Sequence, residues 1–600
     1  MAFAMAMPWN EGEEKMHKLL RIPPLHNPTV SMLSPQASFM LQKGSMLALG
    51  TLDAECRPWT TLWGGSPGFS EPLGGGLVGT RTLIDGKHDP VVQALVGDAV
   101  DGEMLQPRDG GKMIAGLAID LMTRKRVKIA GKMVAGTVQE IHVEPENGGN
   151  DSKAPSKQKQ IQLVTKIEQS LGNCPKYLNQ YQLQPAAVDA KKLSEGPSLT
   201  SEANALITQA DMFFLTTNSE QDMDVNHRGG SPGFVRTLSP TELVYPEYSG
   251  NRLYQSLGNL QLNPKIGISF PNYQTGDVLY TTGTASILVG AEATKLLPGS
   301  NLAVKIKLTS TRHVQNGLPF RGTPHEPSPY NPRVRPLASE GNIRSNLSNL
   351  STATLTKKNL ITPSIGHFSF SVSPAVTYMP GQWIALDFKE ELDIGYEHMR
   401  DDDPTSLNDD FVRTFTISSW PNTMEKQTEF EITIRNVGTV TKFLFQQNDR
   451  AGFEVPVLGT GGDFAISNGS GVTPFVAGGV GITPLLGHLG SLDISPERFT
   501  LFWTLRYQDV QLAMGTLRRF PQLGRATKLF FTGAGNEIDE RIYEELMYQR
   551  GARVYMRRLR NEDLAGVEAE TWYLCAGRGL RDDVLGWLDG KKVVFEGFDY

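Results

Sequence analysis

Ala477-Gly-Gly-Val-Gly-Ile-Thr-Pro484 follows the β-like run Phe475-Val476 and leads into a helical stretch. This passage decides the fold of the C-terminal part. Its glycines let a dinucleotide backbone approach closely, and Pro484 suits a first helical turn. From here onward the rhythm is strand then helix. Thr500–Leu505, Lys528–Phe531, Arg553–Met556, Trp572–Cys575 and Val593–Phe595 are strand-like, and Thr483–Leu492, Glu537–Gln549 and Leu580–Leu588 are helical. That alternation predicts a parallel sheet with helices on its faces over 469–600, an α/β nucleotide-binding domain. Phe464–Leu492 contains no Asp, Glu, Lys or Arg, but its seven glycines and two prolines break it into pieces. It is not one apolar rod crossing a membrane.

Two signals precede the glycine run. Gly438-Thr-Val-Thr441 follows the strand Ile432–Arg435, which includes Ile434, and opens the helical Lys442–Phe445. A glycine and hydroxyls at a helix start present free N–H groups, Thr439 and Val440 included, to a pyrophosphate. Further back, Arg413-Thr414-Phe415-Thr416 lies in the alternating run Phe411–Ser418. Arg413 offers a fork suited to a phosphate oxygen, Phe415 a ring for one face of a flat ligand, and Thr416 a hydroxyl. Alone, this pattern is equally that of an ordinary surface strand. Ile365–Val372 and Phe430–Arg435 also alternate, and Met379–Leu386 turns into a strand. Residues 352–468 are therefore predicted to form a small antiparallel barrel. The order of the three signals, together with the switch from barrel to strand–helix rhythm, is more specific than any one of them.

The N-terminal half carries a repeat. Gly64-Gly-Ser-Pro-Gly-Phe69 recurs as Gly229-Gly-Ser-Pro-Gly-Phe234, each after a β-like run (Met46–Thr51 and Met212–Thr217). This predicts a duplicated β module over 31–314, with copies at about 31–150 and 200–314, behind an N-terminal arm at 1–30. The copies differ: His227-Arg228 precede the second turn and Leu62-Trp63 the first. If either copy holds an anion, the second is the better candidate. Glu144–Lys159 reads as an inserted loop, and the Pro-, Ser- and Arg-rich stretch 315–351 as an interdomain linker.

With 600 residues, 39% hydrophobic and 20% charged, the chain is globular and multidomain. A net charge of −6 gives no global field for nucleic acid. Cys56, Cys174 and Cys575 are far apart, so neither a disulfide framework nor a four-thiolate cluster is expected, and no metal site. The acidic N-terminus lacks an apolar targeting segment. A cytoplasmic protein with no membrane partner is expected.

Residues 352–600 resemble the ferredoxin–NADP reductase superfamily, an FAD-binding barrel followed by a nicotinamide-binding domain. The carriers are Pro380-Gly-Gln-Trp383, Arg413–Thr416, Gly438–Thr441 and Gly478–Pro484. The resemblance implies that Arg413 holds the FAD pyrophosphate, Phe415 covers one flavin face and Thr416 lies near flavin N5. It implies NAD(P)H at Gly478, Gly479, Gly481, Thr483 and Pro484. Cys575 would flank the nicotinamide, unless it is a small buried hydrophobe. Phe598 would shield the other flavin face, unless it packs as a terminal strand. Arg506 would meet the adenosine side, or be a surface arginine. Two departures stand out: Phe415 replaces a tyrosine, and Cys575-Ala-Gly577 replaces Cys-Gly-Pro.

Residues 30–315 resemble the pyridoxamine-phosphate-oxidase-like split barrels, on Asp224–Phe234, Gly172-Asn-Cys-Pro-Lys-Tyr177 and Gly250-Asn-Arg252. The implied ligand is FMN, with Arg228, Ser231, Arg236 and Arg252 as candidate phosphate contacts. The alternative is a barrel whose cofactor site has degenerated, left as a docking, dimerisation or haem- or substrate-binding module. The expected activity is hydride transfer from NAD(P)H to FAD, with electrons passing to FMN, a redox partner protein or a small acceptor. A homodimer through the split barrel is the expected assembly.

Overall fold

The computed structural model describes residues 7–597 apart from 98, 108–109, 144–154, 174, 341–350, 394–398, 402, 422–424 and 534–538. Two compact units divide the chain. The first comprises Met1–Glu340 with Tyr396–Asp409, and the second Gly341–Gly395 with Asp410–Tyr600.

The first unit holds two large antiparallel sheets. One is built from seven strands between Met46 and Asn173, the other mainly from seven between Met212 and Gln315. With strands counted from the start of each sheet, both follow the order 2-1-5-6-7-4-3, and the strand Lys191–Gly196 pairs onto the second. Gly64 and Gly229, the first residues of the two Gly-Gly-Ser-Pro-Gly-Phe repeats, both end the second strand of their sheet. The sheets meet through apolar side chains and a buried hydroxyl pair, Thr60 Oγ1 and Thr216 Oγ1, 2.7 Å apart.

Two expectations about this half need correction. The stretch read as a linker from 315 is packed as far as Glu340: Phe320–Pro324 pairs with Tyr181–Pro185, and Tyr330 and Leu337 are buried. Proline and arginine content made it read as extended, yet backbone pairing and buried side chains tie it down. The inserted loop lies outside the described residues up to 154, but Lys157–Lys159 already belong to the strand Lys157–Asn173.

The second unit begins with six antiparallel strands in the order 412–416, 383–387, 454–461, 351–362, 365–376, 427–435. A bridge between Ile417 and Ile432 joins the two end strands and closes the sheet into a barrel. Its interior is filled by Phe368, Phe370, Phe388, Phe430 and their neighbours. A six-stranded parallel sheet follows, in the order 553–555, 527–532, 499–506, 473–478, 572–576, 593–597. The six strand-like runs of the sequence form it. Among the described residues no helix is long and apolar enough to cross a membrane, and no cluster of side chains is suited to a metal.

Burial pushes several carboxyls of the first unit up, Glu13 to about 7 and Asp89, Asp211 and Asp222 to about 6. The folded state thus keeps protons that the unfolded chain has already released, so stability is lost as pH rises through 6 to 7. Glu431 of the second unit is held down to about 2, first by its hydrogen bond with His367, and acts only in more acid solution. The thermal midpoint of the first unit should therefore rise when the pH is lowered from about 8 to about 5.5. A flat or falling midpoint over that interval would contradict this placement of the carboxyls.

Candidate functional site

The strand Thr473–Gly478 has a special position in the parallel sheet. Its neighbour on one side is the next strand in sequence, Phe499–Arg506, and on the other the much later Trp572–Ala576. Strand order reverses there, so the two outgoing connections diverge and leave a crevice at the carboxyl ends. The glycine run leaves from that point. Gly479–Ile482 forms a tight turn and Thr483–His488 a short helix, with Pro484 in its first turn. A side chain on Gly481 would overlap the carbonyl oxygen of Cys575, so only glycine lets the turn lie down on the neighbouring strand. From the other side, the buried Trp503 donates its indole N–H to the Gly479 carbonyl, 2.9 Å away. The turn is held between both neighbouring strands.

The barrel reaches the same place. The Ile417 carbonyl, one residue past Thr416, lies 3.1 Å from where a side chain on Gly487 would begin. The end of the strand Val412–Thr416 therefore rests on the helix that follows the glycine turn. Buried His488 ties the contact together. Its Nδ1 donates to the Pro484 carbonyl (2.7 Å), and its Nε2 accepts the backbone N–H of Ile466 (3.1 Å). Both bonds use the neutral ring, and burial lowers its pKa to match. The ring also fills the space beside Gly381, whose φ of 81° shapes the turn Pro380–Trp383 and where any side chain would strike the Phe464 carbonyl.

Arg435 is a residue that the motifs did not single out. It ends the strand Gln427–Arg435, three positions before Gly438, so it closes one candidate phosphate turn in sequence. In space its guanidinium lies 3.5 Å from where a Gly479 side chain would begin, which places it at the other turn as well. It pairs with the fully buried Asp509 at 2.6 Å and donates to Ser364 Oγ at 3.2 Å. A basic residue between an alternating strand and a glycine turn was the only signal for it in the sequence.

The predicted residues divide as follows. Arg413 is partly exposed, donates to the Val412 carbonyl at 2.9 Å and lies 3.8 Å from Asp410. Thr414 is exposed and Thr416 is buried. Gly438 is exposed with nothing within 4 Å of a would-be side chain, so a phosphate can approach its backbone. Thr441 Oγ1 accepts the N–H groups of Val437 and Gly438, both at 2.9 Å, and so fixes the turn from within. Ile434 and Val440 point into the barrel core, which leaves only their backbone for a ligand.

Several expectations are corrected. Phe415 is 3% exposed in the barrel core, with Phe388 edge-on at 6.5 Å, so its ring is covered by protein instead of offering a face. Cys575 is fully buried, and burial pushes its thiol well up, with Glu596 adding to the effect. Its contribution to the crevice is the carbonyl under Gly481, not sulfur. Arg228 pairs with Glu247 at 2.7 Å, and Arg236 pairs with Glu340. Ser231 Oγ lies 3.5 Å from the Pro332 carbonyl, and the Arg252 carbonyl contacts His17. The two arginines hold carboxylates of the protein itself. Arg506 is exposed at the carboxyl end of its strand, with no side-chain partner among the described residues. Phe598 lies outside the described residues.

No protein-family model and no curated protein matches the sequence. Parts of it are similar to solved structures. One is the flavohaem-like FAD/NAD-binding domain of nitric oxide dioxygenase from Vibrio cholerae O1 biovar El Tor: 17% identity, 41% of this chain, 98% of that one, TM-score 0.31. Another is a ferredoxin NADP+ reductase from Neisseria gonorrhoeae with bound FAD and NADP: 14%, 42%, 99% and 0.29. A third is the CS-b5R domains of human Ncb5or in the NAD+ form: 12%, 60%, 98% and 0.30. At such scores the likeness leaves the chemistry to be argued from the residues.

Gly481→Ala should destabilise the second unit by about 2–3 kcal/mol, because the new methyl displaces the Cys575 strand. Gly515→Ala, in the helix Val510–Arg519 with open space around it, should instead be neutral or stabilise by up to about 1 kcal/mol. Urea unfolding of the two variants checks both signs.

Proposed function

We propose that the second unit is an NAD(P)H-dependent flavin oxidoreductase that uses FAD. The observation that carries this reading is the meeting, at the sheet's order reversal, of the glycine turn with the end of the barrel strand bearing Arg413 and Thr416. Gly438, open to approach, and the part-exposed Arg413 fit a pyrophosphate, while the covered Phe415 does not fit a stacking role. When bound, FAD would supply the redox chemistry between reduced nicotinamide and an acceptor.

The chain's own part is binding, orientation and exclusion of water. The backbone of Gly478–Gly481 receives the dinucleotide closely, and the Trp503 and Cys575 strands keep that backbone from moving. His488 fixes the barrel turn against the helix, which sets the separation of the two cofactor sites. Arg435 stands between both phosphate turns with its charge met by Asp509, and so braces the two turns against each other. The burial of Thr416 beside the helix keeps solvent from the place where the two sites meet.

For the first unit we propose a split-barrel-like docking module that does not hold FMN, because Glu247 and Glu340 occupy Arg228 and Arg236. Flavin released from the purified chain should be FAD, about one per chain, without FMN. Arg413→Gln should weaken FAD binding about tenfold or more through loss of a charge-assisted hydrogen bond. A chain that carries FMN alone, or an Arg413→Gln variant with unchanged FAD affinity, would overturn the assignment.

A further inference from the structure

Between the strands Trp383–Asp387 and Val412–Thr416 the chain makes an excursion, and its stretch Tyr396–Asp409 belongs to the first unit. Asn408 anchors the end of that stretch. Its Oδ1 accepts the backbone N–H of Ser249 at 2.9 Å, and its Nδ2 donates to the Tyr177 hydroxyl at 2.8 Å. The same hydroxyl donates to the Ser249 carbonyl at 2.7 Å, which closes a ring of hydrogen bonds. The Asn408 carbonyl accepts Arg335 Nη2 at 2.6 Å, and earlier in the stretch the Tyr330 hydroxyl donates to Asp401 Oδ1. Both polar ends of the Asn408 side chain, and its carbonyl, are thus used.

The second unit resumes at Asp410. Asp410 Oδ1 accepts the backbone N–H of Val412 at 3.1 Å and stands 3.8 Å from Arg413 Nη1. Next to it Phe411 has a φ of 54°, a left-handed conformation that a bulky side chain adopts only under constraint. Downstream the constraint is plain: the Phe411 ring is buried in the barrel core, and its carbonyl accepts the Phe388 N–H at 3.0 Å. Upstream stands the Asn408 ring of hydrogen bonds. A chain turned against its preference keeps that turn only while its surroundings hold it. The strained residue and the anchor beside it are separate observations that bear on one arginine.

We infer that Asn408 is a positioning residue for Arg413: by holding the chain upstream of Phe411 it keeps the turn that sets Asp410 and Arg413, so the first unit takes part in FAD binding. This rests on the assignment of Arg413 to the FAD pyrophosphate. The link is the covalent chain from Asn408 to Arg413. An arginine held in advance loses less freedom when a phosphate arrives, so the effect is one on affinity.

Titration of the flavin-free full chain with FAD, followed by flavin fluorescence, tests this with Asn408→Ala, Arg413→Gln and the double variant. Asn408→Ala should weaken FAD binding about fivefold, and Tyr177→Phe, which removes the hydroxyl from the other side of the ring, should act in the same direction. In the Arg413→Gln background, Asn408→Ala should change the affinity by less than about twofold, because the arginine it positions is gone. Wild-type affinity in both Asn408→Ala and Tyr177→Phe, alongside a weakened Arg413→Gln, overturns the inference and leaves the FAD assignment standing. An equal loss from Asn408→Ala on both backgrounds also overturns it, since that marks a general loss of structure. Unchanged affinity in Arg413→Gln removes the FAD assignment, and the inference with it.

Discussion

The carbonyl oxygen of Cys575 and the bare α-carbon of Gly481 share a space that holds no side chain. Everything else at the candidate site follows from that contact. Because the turn lies flat on the neighbouring strand, it begins at the carboxyl edge where strand order reverses, and its helix emerges toward the barrel. Trp503, hydrogen-bonded to the Gly479 carbonyl, prevents the turn from lifting the other way. A backbone held between two strands loses little further freedom when it receives a ligand, which is how a turn without charged side chains can still bind an anion closely.

The barrel is joined to this turn by polar contacts as well as apolar ones. Asp509 is fully buried, and a buried carboxylate deprived of its cation typically costs about 3–5 kcal/mol, so Arg435 is held where it stands. His488 joins the helix, the segment that carries Ile466 and the barrel turn through its two ring nitrogens and its Cε1. These residues fix the distance between the two loops to which we assign the cofactors, a demand met more readily by packed elements than by the loops themselves.

Much of this was legible in sequence because periodicity and glycine spacing are local. The strand–helix rhythm after 469 marks the six parallel strands, and the glycine run marks the turn. What local pattern does not carry is which side of a strand becomes interior once a sheet closes. Alternation put Arg413 and Phe415 on one face, but only the Ile417–Ile432 closure shows that Phe415 is enclosed. Charge partners are equally hidden. Arg228 and Arg236 looked available for phosphate, yet their carboxylates lie 19 and 104 residues away, the second within the stretch whose composition read as linker. Arg435 and Asp509, 74 residues apart, were missed for the same reason.

The central claim is that the barrel and the sheet of the second unit bring a flavin and a reduced nicotinamide to one junction. Anaerobic addition of NADPH, and separately NADH, to the FAD-loaded protein tests this most directly. Bleaching of the flavin absorbance by at least one of the two, with about one reduced nicotinamide consumed per flavin, is the predicted result. An oxidised spectrum that persists with both nucleotides, while FAD remains bound, would contradict the account.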